Sequence, residues 1–226
     1  MSLSTGRGPL SGRPAGRFTA LMPEQVTYIE PFRRRLRATK DGQTPLDTER
    51  ALLVHRPGHP PVYAIPEGDV HGLAAQPAAD APGYVTVDWD AADAWFEEDE
   101  QVFGHTRNPY HRVDCLRSGR RLRVEAVGVT LVDTTQTLAV FETALEPRLY
   151  VNPDRVRTDL LEQSDTQTYC PYKGTATYWS ARFGETYLRD VAWSYEDPLP
   201  ESAPLGHFLS FDETRVTVVH DLPAAG

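Results

Sequence analysis

The chain has 226 residues, 40% of them hydrophobic, with ten tyrosines, eight phenylalanines and four tryptophans. That is enough apolar and aromatic area for one large domain or two small ones, and too much for a wholly disordered chain. A formal net charge of −9 works against nucleic acid and anionic membrane surfaces as partners, because both demand a concentrated positive surface.

Residues 1–33 read as a flexible tail and lead-in, since the first eighteen are rich in Gly, Ser, Pro and Arg and offer little to bury. The arginines there precede no apolar stretch of the kind a secretory signal needs, and no run further along is long enough for a membrane helix. The two cysteines, Cys115 and Cys170, then read as reduced thiols, and the expected compartment is the cytoplasm.

From Arg34 onward the chain repeats itself. Shifted by 86 residues, RRLRATKDGQTPLDTERALLV (34–54) falls on RRLRVEAVGVTLVDTTQTLAV (120–140), with identities running from Arg34/Arg120 through Gly42/Gly128 and Asp47/Asp133 to Val54/Val140. Unrelated segments of this length match at about one or two positions, so the repeat is taken as real. Pro61/Pro147 keeps the register, and one inserted residue would then align Tyr63 with Tyr150 and Pro66 with Pro153. Residues 87–95 are the expected counterpart of 211–219, through Asp88/Asp212. The first copy has only an Ala/Pro loop (72–83) where the second carries 157–200, so it reads as truncated. The expected division is a truncated first module over 34–95, a connector over 96–119 and a complete second module over 120–220.

Within the second module, Leu122, Val124 and Ala126 alternate with charged residues up to Gly128, and Val129–Val132 returns, which is a hairpin pattern. Leu138–Glu142, Leu149–Val151 and the segments on either side of Phe183-Gly184 read as further strands, with a short helix over 153–161 capped by Asn152. Strands in succession without long helices between them predict a mainly β fold: two related small antiparallel β modules in tandem, with short helical turns.

Three features carry chemistry. Only Lys40 and Lys173 are lysines among 23 basic residues, so Lys173 stands out: either drift, or a point charge for an anion or a buried amine. Cys170, in Tyr169-Cys-Pro-Tyr-Lys173-Gly174, is either a thiolate assisted by Lys173 or a small buried hydrophobe beside a turn. Glu142, whose counterpart in the first copy is Arg56, either pairs with Lys173 or Arg182 as structural glue or acts as an acid/base group. Cys170, Lys173 and Glu142 are the catalytic candidates. Tyr169, Tyr172, Trp193, Tyr195 and His207 are the ligand-binding ones, with aromatic core the competing reading for the rings. The seven histidines lack metal-binding spacing, so no metal and no cofactor is expected.

The run from FET (141–143) through DLLEQSDTQTYCPYKGTATYWSARFG (159–184) to AWSYEDPLPES (192–202) resembles domain-of-unknown-function family 427. The resemblance implies small mainly β domains, including tandem forms, and no agreed activity. The residues for nucleotidyl transfer are missing from the sequence: there is no Gly-Ser pair followed by spaced aspartates, and no phosphate-cradling glycine loop with its lysine. Two function classes stay open: a domain that binds or transforms a small molecule at a pocket in the second module, and a non-catalytic protein-interaction or regulatory module.

Overall fold

The computed structural model describes residues 11, 16–20 and 26–223, so the tail expected over residues 1–18 lies largely outside the described residues. Strands dominate, and the only helical elements among the described residues are 3-10 turns. Among the described residues no helix is long and apolar enough to cross a membrane. The chain divides into two compact units, one ending at His111 and the other beginning at Arg112.

The first unit holds strands β1 (Tyr28–Pro31), β2 (Leu36–Lys40), β3 (Gln43–Thr48), β4 (Leu52–His55), β5 (Val62–Pro66), β6 (Ala75–Pro77), β7 (Tyr84–Val87), β8 (Ala94–Glu97) and β9 (Glu100–Val102). They form a five-stranded sheet, β1-β4-β5-β7-β6, and a four-stranded one, β3-β2-β8-β9. Side chains alternate across the larger sheet, as strand geometry requires. Leu53, Tyr63 and Ile65 join Leu36, Leu46 and Trp95 of the smaller sheet in the main core, while Val54 and Ala64 on the opposite face pack with Ala78 and Ala81.

The second unit holds β10 (Val113–Ser118), β11 (Leu122–Ala126), β12 (Val129–Thr134), β13 (Thr137–Glu142), β14 (Arg148–Val151), β15 (Leu161–Cys170), β16 (Gly174–Phe183), β17 (Thr186–Ser194), β18 (Leu209–Phe211) and β19 (Thr217–His220). A seven-stranded sheet, β10-β13-β14-β18-β17-β16-β15, is accompanied by a three-stranded one, β12-β11-β19. Leu122, Val124 and Leu131 of the small sheet share a core with Ala139, Leu149, Val151, Val191 and Phe211 of the large one. The other face of the large sheet carries a second cluster, with Val113, Leu138, Val140, Tyr150, Ala176 and Tyr195. It is on that face that the candidate site lies.

Inside each unit the strand ladders follow one numbering offset. Tyr28 pairs with His55 as Asp114 pairs with Phe141, and Leu36 pairs with Thr48 as Leu122 pairs with Thr134. Leu53 pairs with Tyr63 as Ala139 pairs with Leu149, and the isolated bridge Leu46–Val70 recurs as Val132–Val156. Every one of these pairs differs by 86. The same shift carries the bidentate Arg35–Asp47 ion pair onto Arg121–Asp133.

Several expectations need correction. No residue is inserted before Tyr150: in the ladder Tyr63 corresponds to Leu149 and Ala64 to Tyr150, so the Tyr63/Tyr150 match is an accident of composition. Residues 153–161 form two single 3-10 turns, Pro153–Arg155 and Thr158–Leu160, because Val156 between them is held extended by its bridge to Val132. Asn152 does cap the first turn, accepting from the Asp154 N–H. The threonine-rich stretch 164–168 belongs to the ten-residue strand β15. Strands also run through segments assigned to the lead-in and the connector: β1 joins the first unit's large sheet, β8 and β9 its small one, and β10 the second unit. Most of them are short or mix apolar with charged residues, so no sustained alternation marks them as strands.

Candidate ligand pocket in the second unit

Neighbouring strands place one row of side chains across this second face of the large sheet. In the ladders Val140 lies opposite Arg148, Leu138 opposite Tyr150, and Tyr178 opposite Trp193. Directly opposed residues share a face, so these side chains stand together. Ser210, opposite Trp193 on β18, is the small residue in the middle of the row, and its hydroxyl donates to the Leu149 carbonyl. This face carries a cavity of about 440 Å³ with Glu142, Arg148, Tyr150, Lys173, Trp193 and Tyr195 in its lining, together with Val140, Leu145, Glu146, Tyr178 and Asp212.

Lys173 reaches this face from the turn between β15 and β16. Cys170 pairs with Gly174, and the Lys173 N–H donates back to the Cys170 carbonyl. Gly174 has φ +96°, and a Cβ there would stand 3.4 Å from the Asp197 carbonyl. The backbone conformation therefore favours glycine here, while a Cβ would meet only ordinary contacts. The turn delivers the Lys173 ammonium to the Glu142 carboxylate, and this ion pair is largely buried, with side-chain exposures of 12% and 8%. The same ammonium lies 5.9 Å from the centre of the Tyr195 ring. Burial by itself lowers the Lys173 pKa, but the negative groups of Tyr150 and Glu142 outweigh it and the value is raised. At neutral pH Glu142 is the partner that counts, because burial also raises the Tyr150 phenol and keeps it neutral.

Around the rim, the Trp193 indole N–H donates to the Tyr150 hydroxyl at 3.0 Å, and the Arg148 guanidinium lies over the Trp193 ring at 5.3 Å. Burial raises the Tyr195 phenol as well. A second cavity of about 420 Å³, lined in part by Leu122, Ser210, Phe211, Glu213 and His220, shares Glu146 and Arg148 with the first.

Of the residues singled out from the sequence, the structure brings Lys173, Glu142, Trp193 and Tyr195 to one cavity. Cys170, Tyr169, Tyr172 and His207 lie outside its lining. Cys170 is half-buried at the end of β15, within electrostatic reach of Lys173. Tyr169 is exposed, and Tyr172 packs on the cluster beneath the face. His207 pairs with Glu196 through Nδ1 at 2.5 Å and is mostly exposed. Arg182 pairs with Glu162, so it is Lys173 that holds Glu142. Tyr150, Arg148 and Tyr178 were missed. Arg148 and Tyr150 stand two apart on a strand, which puts them on one face, and that spacing was the signal available. Cys115 was also passed over: it sits on β10 opposite Val140, where burial raises its thiol and Lys173 only partly offsets the rise.

Fold and pocket together define the second unit as a small antiparallel β domain with an aromatic-walled cavity on one sheet face. Residues 114–222 match the family model described as Domain of unknown function (DUF427), which supports the likeness of this unit to that family. No curated protein matches the chain.

Proposed function

We propose that the second unit is a small-molecule-binding domain, and that the first is a cut-down tandem copy of it whose equivalent surface is closed. The observation that carries this is the cavity, whose volume falls in the range of ordinary ligand pockets and where aromatic rings converge with a few charged groups. In the first unit the shift of 86 replaces Tyr150 by Ala64, and Ala78 and Ala81 of the Ala/Pro loop pack against Val54 and Ala64, all of them buried. Binding is favoured over catalysis because Lys173 and Glu142 are committed to each other and Cys170 stands off the cavity. In this reading Lys173 and Glu142 fix the floor, Trp193 and Tyr195 supply walls, and Cys170, Tyr169 and Tyr172 shape the adjoining turn. The half-buried free thiols of Cys115 and Cys170 accord with a cytoplasmic setting.

The alternative of a protein-interaction module draws on Leu116 and Phe141, which are exposed on one face of the β10–β13 pair. A small-molecule library screened by thermal shift decides between them. A ligand present at a hundred times its Kd adds about 2.7 kcal/mol to stability, and hits should lose their effect in Leu145→Trp, which plugs the rim from an exposed position. Hits that stabilise the plugged variant equally, or no hits at all, would leave the interaction module.

A further inference from the structure

We propose that the cavity takes a small organic cation, an alkylamine, guanidinium or quaternary ammonium, which replaces Arg148 on the face of Trp193. The inference rests on the binding reading above and names its ligand class. Three carboxylates, Glu142, Glu146 and Asp212, line the cavity against two cations, Lys173 and Arg148. Burial pushes the Asp212 carboxyl up, but hydrogen bonds from the Thr214 hydroxyl and N–H outweigh it, so the group is held below its ordinary value and stays charged. The lining residues therefore carry one more negative than positive charge with both protein cations in place, and Arg215, outside the lining, pairs with Asp212 at 3.5 Å.

The aromatic walls already hold cations: Lys173 lies over Tyr195 and Arg148 over Trp193. The two are not held alike. Lys173 is buried and ion-paired with Glu142. Arg148 has 43% of its side chain exposed, and its ion pair with Glu213 is long, at 3.5 Å. Because Arg148 stands on the rim shared with the neighbouring cavity, it can turn toward Glu213 there and uncover the indole. A ligand cation in its place keeps the cation–π contact and has Glu146 and Asp212 close by. A ligand carboxylate would face Glu146 and Asp212, with Arg148 in its favour and Lys173 already paired with Glu142.

The test follows the Trp193 indole N–H resonance of the full chain, assigned by its loss in Trp193→Phe, during titrations at constant ionic strength. The probes are tetramethylammonium and ethylguanidinium on one side and phenylacetate on the other. The expected result is a saturable shift with the cations and none with phenylacetate. Arg148→Met should bind the cations more tightly, on the order of fivefold, because the competing side chain is gone. Phenylacetate binding that is lost in Arg148→Met would overturn the cation assignment while leaving the pocket standing. Cation affinity unchanged in Arg148→Met would overturn the exchange. Silence from every probe would remove the binding reading as well.

Discussion

Lys173 and Glu142 have a counterpart of opposite sign in the first unit. At the position equivalent to Glu142 stands Arg56, and its guanidinium pairs with Asp80 of the Ala/Pro loop at 2.9 Å. In both units, then, the end of the same strand is tied by an ion pair to the segment that follows, with the charges exchanged. That makes the Lys173–Glu142 pair first a strut, and the two struts differ in what they are worth. Arg56 and Asp80 are each 36% exposed, so their pair contributes about 0–1 kcal/mol. Removing one partner of a buried pair strands the other, at about 3 kcal/mol. Lys173→Met should therefore destabilise the protein by about 3 kcal/mol in urea unfolding, Arg56→Met by under about 1, and Lys173→Met with Glu142→Leu should regain most of the loss. Because the Lys173 pKa is raised in the fold, its contribution is complete below its ordinary 10.5 and fades as pH climbs through the raised value. The gap between wild type and Lys173→Met should accordingly be flat through neutral pH and narrow only above 10.5. At this scale the sequence was legible where a residue broke a habit: a lysine in an arginine-rich chain led to the strut. Arg148 and Tyr150 broke no habit, and their meaning depends on which strands lie beside theirs.

Hairpin turns show how far local chemistry reaches. Asp41-Gly42 and Val127-Gly128 occupy the same turn in the two units, and all four residues have positive φ, 50° and 72° in the first, 51° and 74° in the second. A two-residue turn of this kind favours Asn-Gly or Asp-Gly, because the first position is left-handed. Asp41 obeys the rule, whereas Val127 is a branched residue held at positive φ while more than half exposed. Its side chain supplies little burial to offset the strain. Val127→Asn should thus stabilise by about 1 kcal/mol, a rise in Tm of about 2–4 °C in a chain of this size. A calorimetric scan showing no rise, or a fall, would mean that the valine's contacts outweigh its backbone strain. The hairpins themselves were readable from alternation and glycine. The 153–161 turn was not, because the bridge from Val156 to Val132 crosses a sequence distance that no local pattern reports.

Across the whole chain, the offset of 86 shared by the ladders was visible in identities such as Gly42/Gly128 and Asp47/Asp133, which sit at a turn and in a bidentate ion pair. The module edges were not visible, because β1 and β10 mix apolar and charged residues without clear alternation and take their place from their partners. Those partners lie within one unit in each case, and so do the cores. The two clusters of the second unit draw only on residues from Val113 onward, and the two of the first only on residues up to Trp95. A unit that closes its own core and pairs its own strands has what independent folding requires. Residues 112–226 produced alone should therefore unfold in one cooperative step and keep the Trp193 indole N–H protected by Tyr150, as read by hydrogen exchange. Their urea m-value should be about half that of the full chain, in proportion to the surface exposed. A broad transition without a baseline, or an unprotected indole, would mean that the second unit needs residues before Arg112 to hold its fold, and that the boundary at His111 is one of contacts only.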